Sequence, residues 1–245
     1  MRNNNKKIIK GKYKEIASRN ISCGCSCGCD SGKKTAREIG YSEEDLEVAG
    51  DANLGLGCGN PLGFGEIGEG DTVLDLGSGA GVDAILAAKK VGNTGKVIGV
   101  DMTEEMVKKA RENAKEKGVN NAEFLMGDIE NLPLGNEKVD IITTNCVVNL
   151  TSDKNKAFSE AYRVLKSGGK IYLSDIVLLE ELSEEQRKDE DLLAGCVAGA
   201  LLKEEYLKKI EEAGFKINIL EENKEISEKQ YGGISLESIT VELTK

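Results

Sequence analysis

Three glycines follow directly on a short apolar run in Thr72-Val73-Leu74-Asp75-Leu76-Gly77-Ser78-Gly79-Ala80-Gly81, and this junction constrains the fold more than any other part of the chain. Glycine turns where a Cβ would clash, and it lets a ligand approach the backbone closely. A short apolar run that enters such a turn and leaves on a helical pattern reads as strand, tight turn, helix. The alternation then continues. Spacing predicts strands at 96–100, 122–126, 139–143 and 170–174, with helices at about 83–91, 103–118 and 153–165. Thr103 is placed as a helix N-cap, and Ser167-Gly168-Gly169 is placed to stop the last of these helices. Strands alternating with helices of this length give an α/β class with a mostly parallel sheet covered on both faces. The tail adds helices at 184–195 and 203–213 and strands near 215–221 and 238–244, the last of them antiparallel. Phe64, Tyr172 and Phe215 are expected in the core. Asp175 is expected after strand five, either touching substrate or exposed as a strand-end acid.

Residues 1–50 differ in texture. Ile8, Ile9, Tyr13, Ile16 and Ala17 fall at helical spacing, and Ser42-Glu43-Glu44-Asp45 has the form of a capping box opening a short helix to about residue 49. Between them lies Cys23-Gly-Cys25-Ser-Cys27-Gly-Cys29, which has no apolar period. We therefore expect a cysteine-bearing extension over 1–50 and one domain over 51–245. A glycine-rich shaped loop at 51–69 carries Cys58, and a thiol-bearing insertion falls at about 180–202.

Composition narrows the chemistry. Net charge is −10, from 33 basic and 43 acidic side chains, so a polyanion is repelled at long range and nucleic acid is a poor partner. The apolar stretch at 192–202 falls short of the roughly 20 residues a bilayer requires, and no apolar run follows Met1. The expected location is the cytoplasm. Histidine is absent, which removes imidazole acid-base catalysis and histidine-ligated zinc. Seven cysteines in a reducing compartment point to metal binding or catalysis rather than to a disulfide framework.

Asp101 closes the second strand, where a carboxylate can accept from both hydroxyls of a ribose. The glycine spacing lacks the third glycine of the dinucleotide fingerprint. The series Asp75-x-Gly77-x-Gly79-x-Gly81, Asp101 and Gly127-Asp128-Ile129 resembles the seven-stranded, Rossmann-like class I S-adenosylmethionine-dependent methyltransferases. The resemblance implies S-adenosyl-L-methionine as methyl donor. It places Gly77, Gly79 and Gly81 along the methionine moiety, Asp101 on the ribose, Met102 on the adenine, and Asp128 with Ile129 flanking the base. Asp75, Ser78 and Asn145 complete the expected cofactor-binding set.

Cys58, Cys146 and Cys196 stand in three separate segments, and each alone has a plain reading as a small buried hydrophobe. Cys146 follows the C-terminal end of strand four, on the rim where open α/β sheets bind ligands. The segments Asn53-Leu-Gly-Leu-Gly-Cys58-Gly-Asn-Pro61, Asn145-Cys146-Val-Val-Asn149-Leu150 and Gly195-Cys196-Val-Ala-Gly-Ala200 resemble the three cysteine motifs of the arsenite S-adenosylmethionine methyltransferases. So does Gly40-Tyr-Ser-Glu-Glu-Asp45. That resemblance implies Cys58, Cys146 and Cys196 as ligands of As(III), with arsenite and methylated arsenicals as substrates and a thiol reductant such as glutathione or thioredoxin restoring the cysteines. Soft centres select thiolates, and a lone pair on sulfur-bound arsenic carries no proton, so the attack needs no general base. For Cys23, Cys25, Cys27 and Cys29 three readings stand: accessory thiols for arsenic capture or redox exchange, a zinc, copper or cluster site, or an idle extension. Two other functions stand beside methylation of arsenic: a methyltransferase for another small molecule, and a thiol-based metalloid-binding protein.

Overall fold

The computed structural model describes residues 2–19 and 31–245, so the expectations placed on Cys23, Cys25, Cys27 and Cys29 lie outside the described residues. Seven strands, β1 (Thr72–Leu76), β2 (Lys96–Asp101), β3 (Ala122–Met126), β4 (Val139–Asn145), β5 (Leu165–Leu178), β6 (Lys216–Asn223) and β7 (Leu236–Thr244), form one sheet in the order β3-β2-β1-β4-β5-β7-β6. The first five pair in parallel, and β7 runs antiparallel between β5 and β6. The order reverses between β1 and β4, which opens a crevice beyond their carboxyl ends.

Helices α1 (Arg2–Arg19), α2 (Ser31–Glu38), α3 (Glu43–Ala49) and α4 (Pro61–Phe64) precede the sheet. Helices α5 (Val82–Lys90), α6 (Glu104–Glu116) and α7 (Lys154–Val164) cross between strands. α8 (Glu184–Lys188), α9 (Glu190–Ala194), α10 (Lys203–Glu212) and α11 (Glu225–Gln230) follow β5. Both faces of the sheet are covered. One layer packs Ile85, Val107, Phe124 and Tyr172 with Tyr41 and Leu46 from the N-terminal segment, and the other packs Leu74, Phe158, Tyr206, Ile210 and Phe215. α1 lies against α6 and α9, with Ile9 fully buried on Leu193 and Ala198. Among the described residues no helix is long and apolar enough to cross a membrane.

The capping box opening α3 is present: the Ser42 hydroxyl accepts from the Asp45 N–H, and the Asp45 carboxylate accepts from the Ser42 N–H. Thr103 stands at the N-cap of α6, but its side chain makes no capping bond; Asp101 Oδ1 instead accepts the Thr103 N–H at 2.8 Å. Other details depart from the sequence pattern. The helix expected at 184–195 is broken at Asp189, which ends α8 with an extended backbone and then caps α9, its carboxylate accepting the N–H groups of Asp191 and Leu192. α7 stops at Val164, so Gly168 takes its positive φ of 76° inside β5 rather than at a helix end. Tyr172 and Phe215 are core, whereas Phe64 is 41% exposed because the single turn of α4 turns Pro61 and Leu62 inward instead. Asp175 is fully buried within β5 and is not an exposed strand-end acid, because β5 continues to Leu178 between β4 and β7.

Candidate active site

The turn after β1 is held by backbone bonds. The N–H groups of Gly77 and Ser78 both donate to the Val100 carbonyl, and the Gly79 N–H donates to Asp101 Oδ2 at 3.0 Å. Gly77 and Gly79 have φ of 68° and 51°, a region L-residues rarely enter, and a Cβ on Gly79 would meet open space. Gly81 does a different job. It stands at the N-cap of α5 with φ 95°, and a Cβ there would crowd Phe124 and Ala110.

These residues border a cavity of about 1300 Å³. Asp75, Gly77, Ser78, Gly79, Asp101, Met102, Asp128, Ile129 and Asn145 all line it, together with Cys146 and Cys196; Gly81 does not. Three buried carboxylates face the same space. Burial and the neighbouring Asp83 charge push Asp75 well above the ordinary carboxylate range. Burial raises Asp83 to about 6 against the lowering effect of the Tyr41 hydroxyl, which donates to it at 2.7 Å. Burial also raises Asp101, partly offset by the N–H groups of Thr103 and Gly79. Asp75 Oδ2 and Ser78 Oγ are buried without a hydrogen-bond partner. On the far side Lys6 of α1 pairs with Asp128 at 2.7 Å and with Glu130 at 3.0 Å. Burial of Asp128 is outweighed by that lysine, leaving its carboxyl below the usual value.

The three thiols outside the N-terminal cluster are free and buried. Cys146 follows β4, its N–H donating to the Ser174 carbonyl at 2.8 Å. Cys58 is drawn to it by Asn145, whose Oδ1 accepts the Cys58 N–H at 3.0 Å, and by Ser238, whose hydroxyl donates to the Cys58 carbonyl at 2.6 Å. The sulfur atoms of Cys58 and Cys146 and one carboxylate oxygen of Asp175 lie within 4.8 Å of one another. Cys196, in the turn after α9, donates its S–H to the Cys146 carbonyl. Cys146 and Cys196 have φ of 60° and 66°, strained for residues with a Cβ. Contacts with Cys196 and Cys58, together with burial, push the Cys146 thiol well above its usual value. For Cys196 the Cys146 contact works downward, but burial and the Asp175 charge prevail and the thiol is raised. Cys146 and Cys196 line the cavity and Cys58 does not; the Cys58 sulfur lies within 4.8 Å of the Cys146 sulfur, and the Cys196 thiol bonds the Cys146 carbonyl, so three loops far apart in sequence meet at Cys146.

A methyltransferase-domain family model matches residues 67–214. The crystal structure of CrArsM, an arsenic(III) S-adenosylmethionine methyltransferase from Chlamydomonas reinhardtii, superposes with a TM-score of 0.65 at 34% identity, covering 86% of this chain and 73% of that one. This chain belongs to the arsenic(III) S-adenosylmethionine methyltransferase family. An arsenite methyltransferase of Halobacterium salinarum is 42% identical over 224 residues, 86% of this chain and 57% of that protein. The human arsenite methyltransferase is 41% identical over 152 residues, 58% of this chain and 40% of that protein. The chain spans about half the length of the curated relatives it matches. The fold is the Rossmann-like class I methyltransferase fold that the glycine motif implied.

Sequence reasoning missed four residues that shape the site of this family member. Tyr41 and Asp83 form a buried pair that also reaches Asn145, whose Nδ2 donates to the Tyr41 oxygen at 3.1 Å. Tyr231 lines the cavity from the loop after α11, and Lys6 lines it from α1. Tyr41 had a local signal, standing in the Gly40-Tyr-Ser segment. Asp83 stands two residues past Gly81 of the glycine motif, whereas Lys6 and Tyr231 had no local signal, because their neighbours in space are remote in sequence.

Proposed function

We propose that this chain transfers methyl groups from S-adenosylmethionine to trivalent arsenic held by the thiolates of Cys58, Cys146 and Cys196. The observation that carries the reading is the meeting of these thiols at Cys146, which lines the same cavity as the glycine turn of β1, in a chain with no histidine to act as base.

The cavity fits the donor. Asp75 Oδ2 and Ser78 Oγ lack partners while buried, which is costly unless a ligand supplies them, and Gly79 leaves room where a Cβ would stand. When bound, S-adenosylmethionine supplies an electrophilic methyl on a cationic sulfonium. Asp101, already oriented by the Gly79 and Thr103 N–H groups, would accept from the ribose hydroxyls. Asp83, raised to about 6, gives that end of the cavity a negative potential suited to a cation. Met102, Ile129 and Asp128 would border the adenine.

The thiols need no low pKa to take arsenite. Arsenite is As(OH)₃ near neutral pH, and each S–H proton leaves on a departing hydroxide as water, so raised thiols still ligate. Their role afterwards is to hold arsenic at near-attack distance, roughly 3–3.5 Å from the methyl carbon. α1 and the α9 turn wall the cavity against water. We place the reaction in the cytoplasm, with a thiol reductant such as glutathione or thioredoxin restoring the cysteines. Methylated arsenicals then serve as further substrates, and the Cys23–Cys29 thiols as an entry point for arsenic.

The test is arsenite-dependent release of S-adenosylhomocysteine by the parent and by Cys58→Ser, Cys146→Ser and Cys196→Ser. Cys146→Ser and Cys196→Ser should be inactive, and Cys58→Ser should lose turnover of inorganic arsenite. Undiminished rates in the first two would end the assignment.

A further inference from the structure

We propose that the buried carboxylate of Asp175 stabilises the positive charge that arsenic acquires as it is methylated. The inference rests on the reading above and adds a residue that it does not use.

The charge bookkeeping defines what the site must do. Arsenic bound by three thiolates is neutral. In the transfer its lone pair forms the As–C bond, while the C–S bond of the sulfonium breaks and its electron pair stays on sulfur as a neutral thioether. No proton moves. Arsenic passes formally from +3 to +5, and the positive charge leaves the donor and arrives on arsenic. A group that favours this step more than the ground state must be an anion close to the thiols and farther from the donor.

Asp175 has that placement. It is fully buried, and one of its oxygens lies within 4.8 Å of both the Cys58 and the Cys146 sulfur atoms. It does not line the donor cavity, whereas Cys146 does. Four donors converge on its two oxygens: the Asn149 N–H at 3.2 Å and the Tyr206 hydroxyl at 2.9 Å on Oδ2, and the Asn149 amide at 2.8 Å and the Ile176 N–H at 2.9 Å on Oδ1. That set suits an anion, which only accepts. Asn149 belongs to the 3₁₀ turn that follows Cys146, so the carboxylate is tied to the segment carrying the thiol.

The charge is not spent on an ion pair. Among the described residues no lysine or arginine bridges to Asp175. The buried cation that acts on it, Lys154, gives its ammonium to the Gly199 carbonyl at 2.8 Å. A buried anion without a direct counter-ion destabilises a fold. A cation formed transiently on arsenic offsets that cost, and it does so only during the transfer.

The decisive measurement is a single turnover by enzyme preloaded with arsenite, mixed with donor and quenched for S-adenosylhomocysteine. Asp175→Asn keeps the side-chain shape, and the Tyr206 hydroxyl can rotate to accept from the new amide. Arsenite affinity by equilibrium dialysis and donor affinity by calorimetry should stay within about threefold of the parent. The transfer rate should fall about 30- to 300-fold, the range for losing one fixed charge beside a developing charge. A rate within threefold of the parent, or a loss of arsenite binding as large as the loss of rate, overturns the proposal. Lys154→Met gives an independent sign: with the neighbouring cation removed, the rate should match or exceed the parent's, and a slower transfer counts against the role. A parent that binds arsenite but forms no S-adenosylhomocysteine would instead fail the reading on which this rests.

Discussion

Asn145 at the end of β4 grips the Cys58 loop with both ends of its amide, Oδ1 accepting the Cys58 N–H at 3.0 Å and Nδ2 donating to the Gly59 carbonyl at 2.6 Å. The two bonds set the separation of Cys58 from Cys146, the next residue along. Asn145→Ala should strand a part-buried N–H and carbonyl, costing about 1–3 kcal/mol in urea unfolding. Arsenite affinity by equilibrium dialysis should weaken at least about tenfold, because the Cys58 loop is no longer pinned. Unchanged affinity would show that the loop is held by Ser238 alone.

Cys146 and Cys196 hold positive φ in spite of their Cβ atoms. Glycine tolerates that conformation and alanine does not, so Cys196→Gly should be more stable than Cys196→Ala by about 1 kcal/mol, and the same order should hold at position 146. Thermal or urea denaturation of the four variants checks this. All four should be inactive, which separates the backbone strain from the chemistry of the thiol.

The pH dependence of stability should run opposite to ordinary acid denaturation over one window. The folded-state pKa of Asp83, about 6, lies above the ordinary value of 3.8, so the folded protein binds this proton more tightly than the unfolded chain does. Its destabilising effect is complete above pH 6 and lifts as pH falls toward 4. Asp75 shifts in the same direction. No histidine titrates in this range to cancel the effect, and carboxyls lowered by partners, such as Asp128 and Asp140, lose stability only nearer pH 4. Stability without ligand should rise by about 1 kcal/mol from Asp83 alone between pH 7.5 and pH 5. Asp83→Asn should remove about 1 kcal/mol of that rise and leave the part that Asp75 and Asp175 contribute, and a urea midpoint that falls steadily across this window in the parent would refute it.

Ile9 anchors α1 over the cavity, fully buried on Leu193 and Ala198, while Lys6 on the same helix reaches Asp128 and Glu130. Ile9→Ala should weaken docking of this helix by about 2–4 kcal/mol, opening residues 2–19 to limited proteolysis and lowering donor affinity severalfold. Lys12→Ala removes an ion pair on an exposed partner and should leave both unchanged. Equal protease resistance of parent and Ile9→Ala would show that α1 is held by its charges instead.

What sequence alone determined was local. Chemistry confined to a few neighbouring residues showed the glycine turn after β1, the capping box at Ser42 and the alternation that makes a parallel α/β sheet, because apolar period, caps and glycine conformation act over a turn or two of chain. Resemblance pointed to the three thiols and to the part of the cavity lining that borders the glycine turn, Asp101 and Asp128. Tertiary structure decided what depends on neighbours distant along the chain. Asp175 reads as a strand-end acid until β7 and α10 close over it, and Tyr231 and Lys6 meet the cavity only through packing. Phe64 has the composition of a core residue, but the short turn of α4 points it outward. Burial belongs to the assembled sheet and its covering layers; it raises the Asp175 carboxyl to about 6, and the donors of Tyr206, Ile176 and Asn149, brought together by the same packing, work against that rise and favour the anion beside the sulfurs.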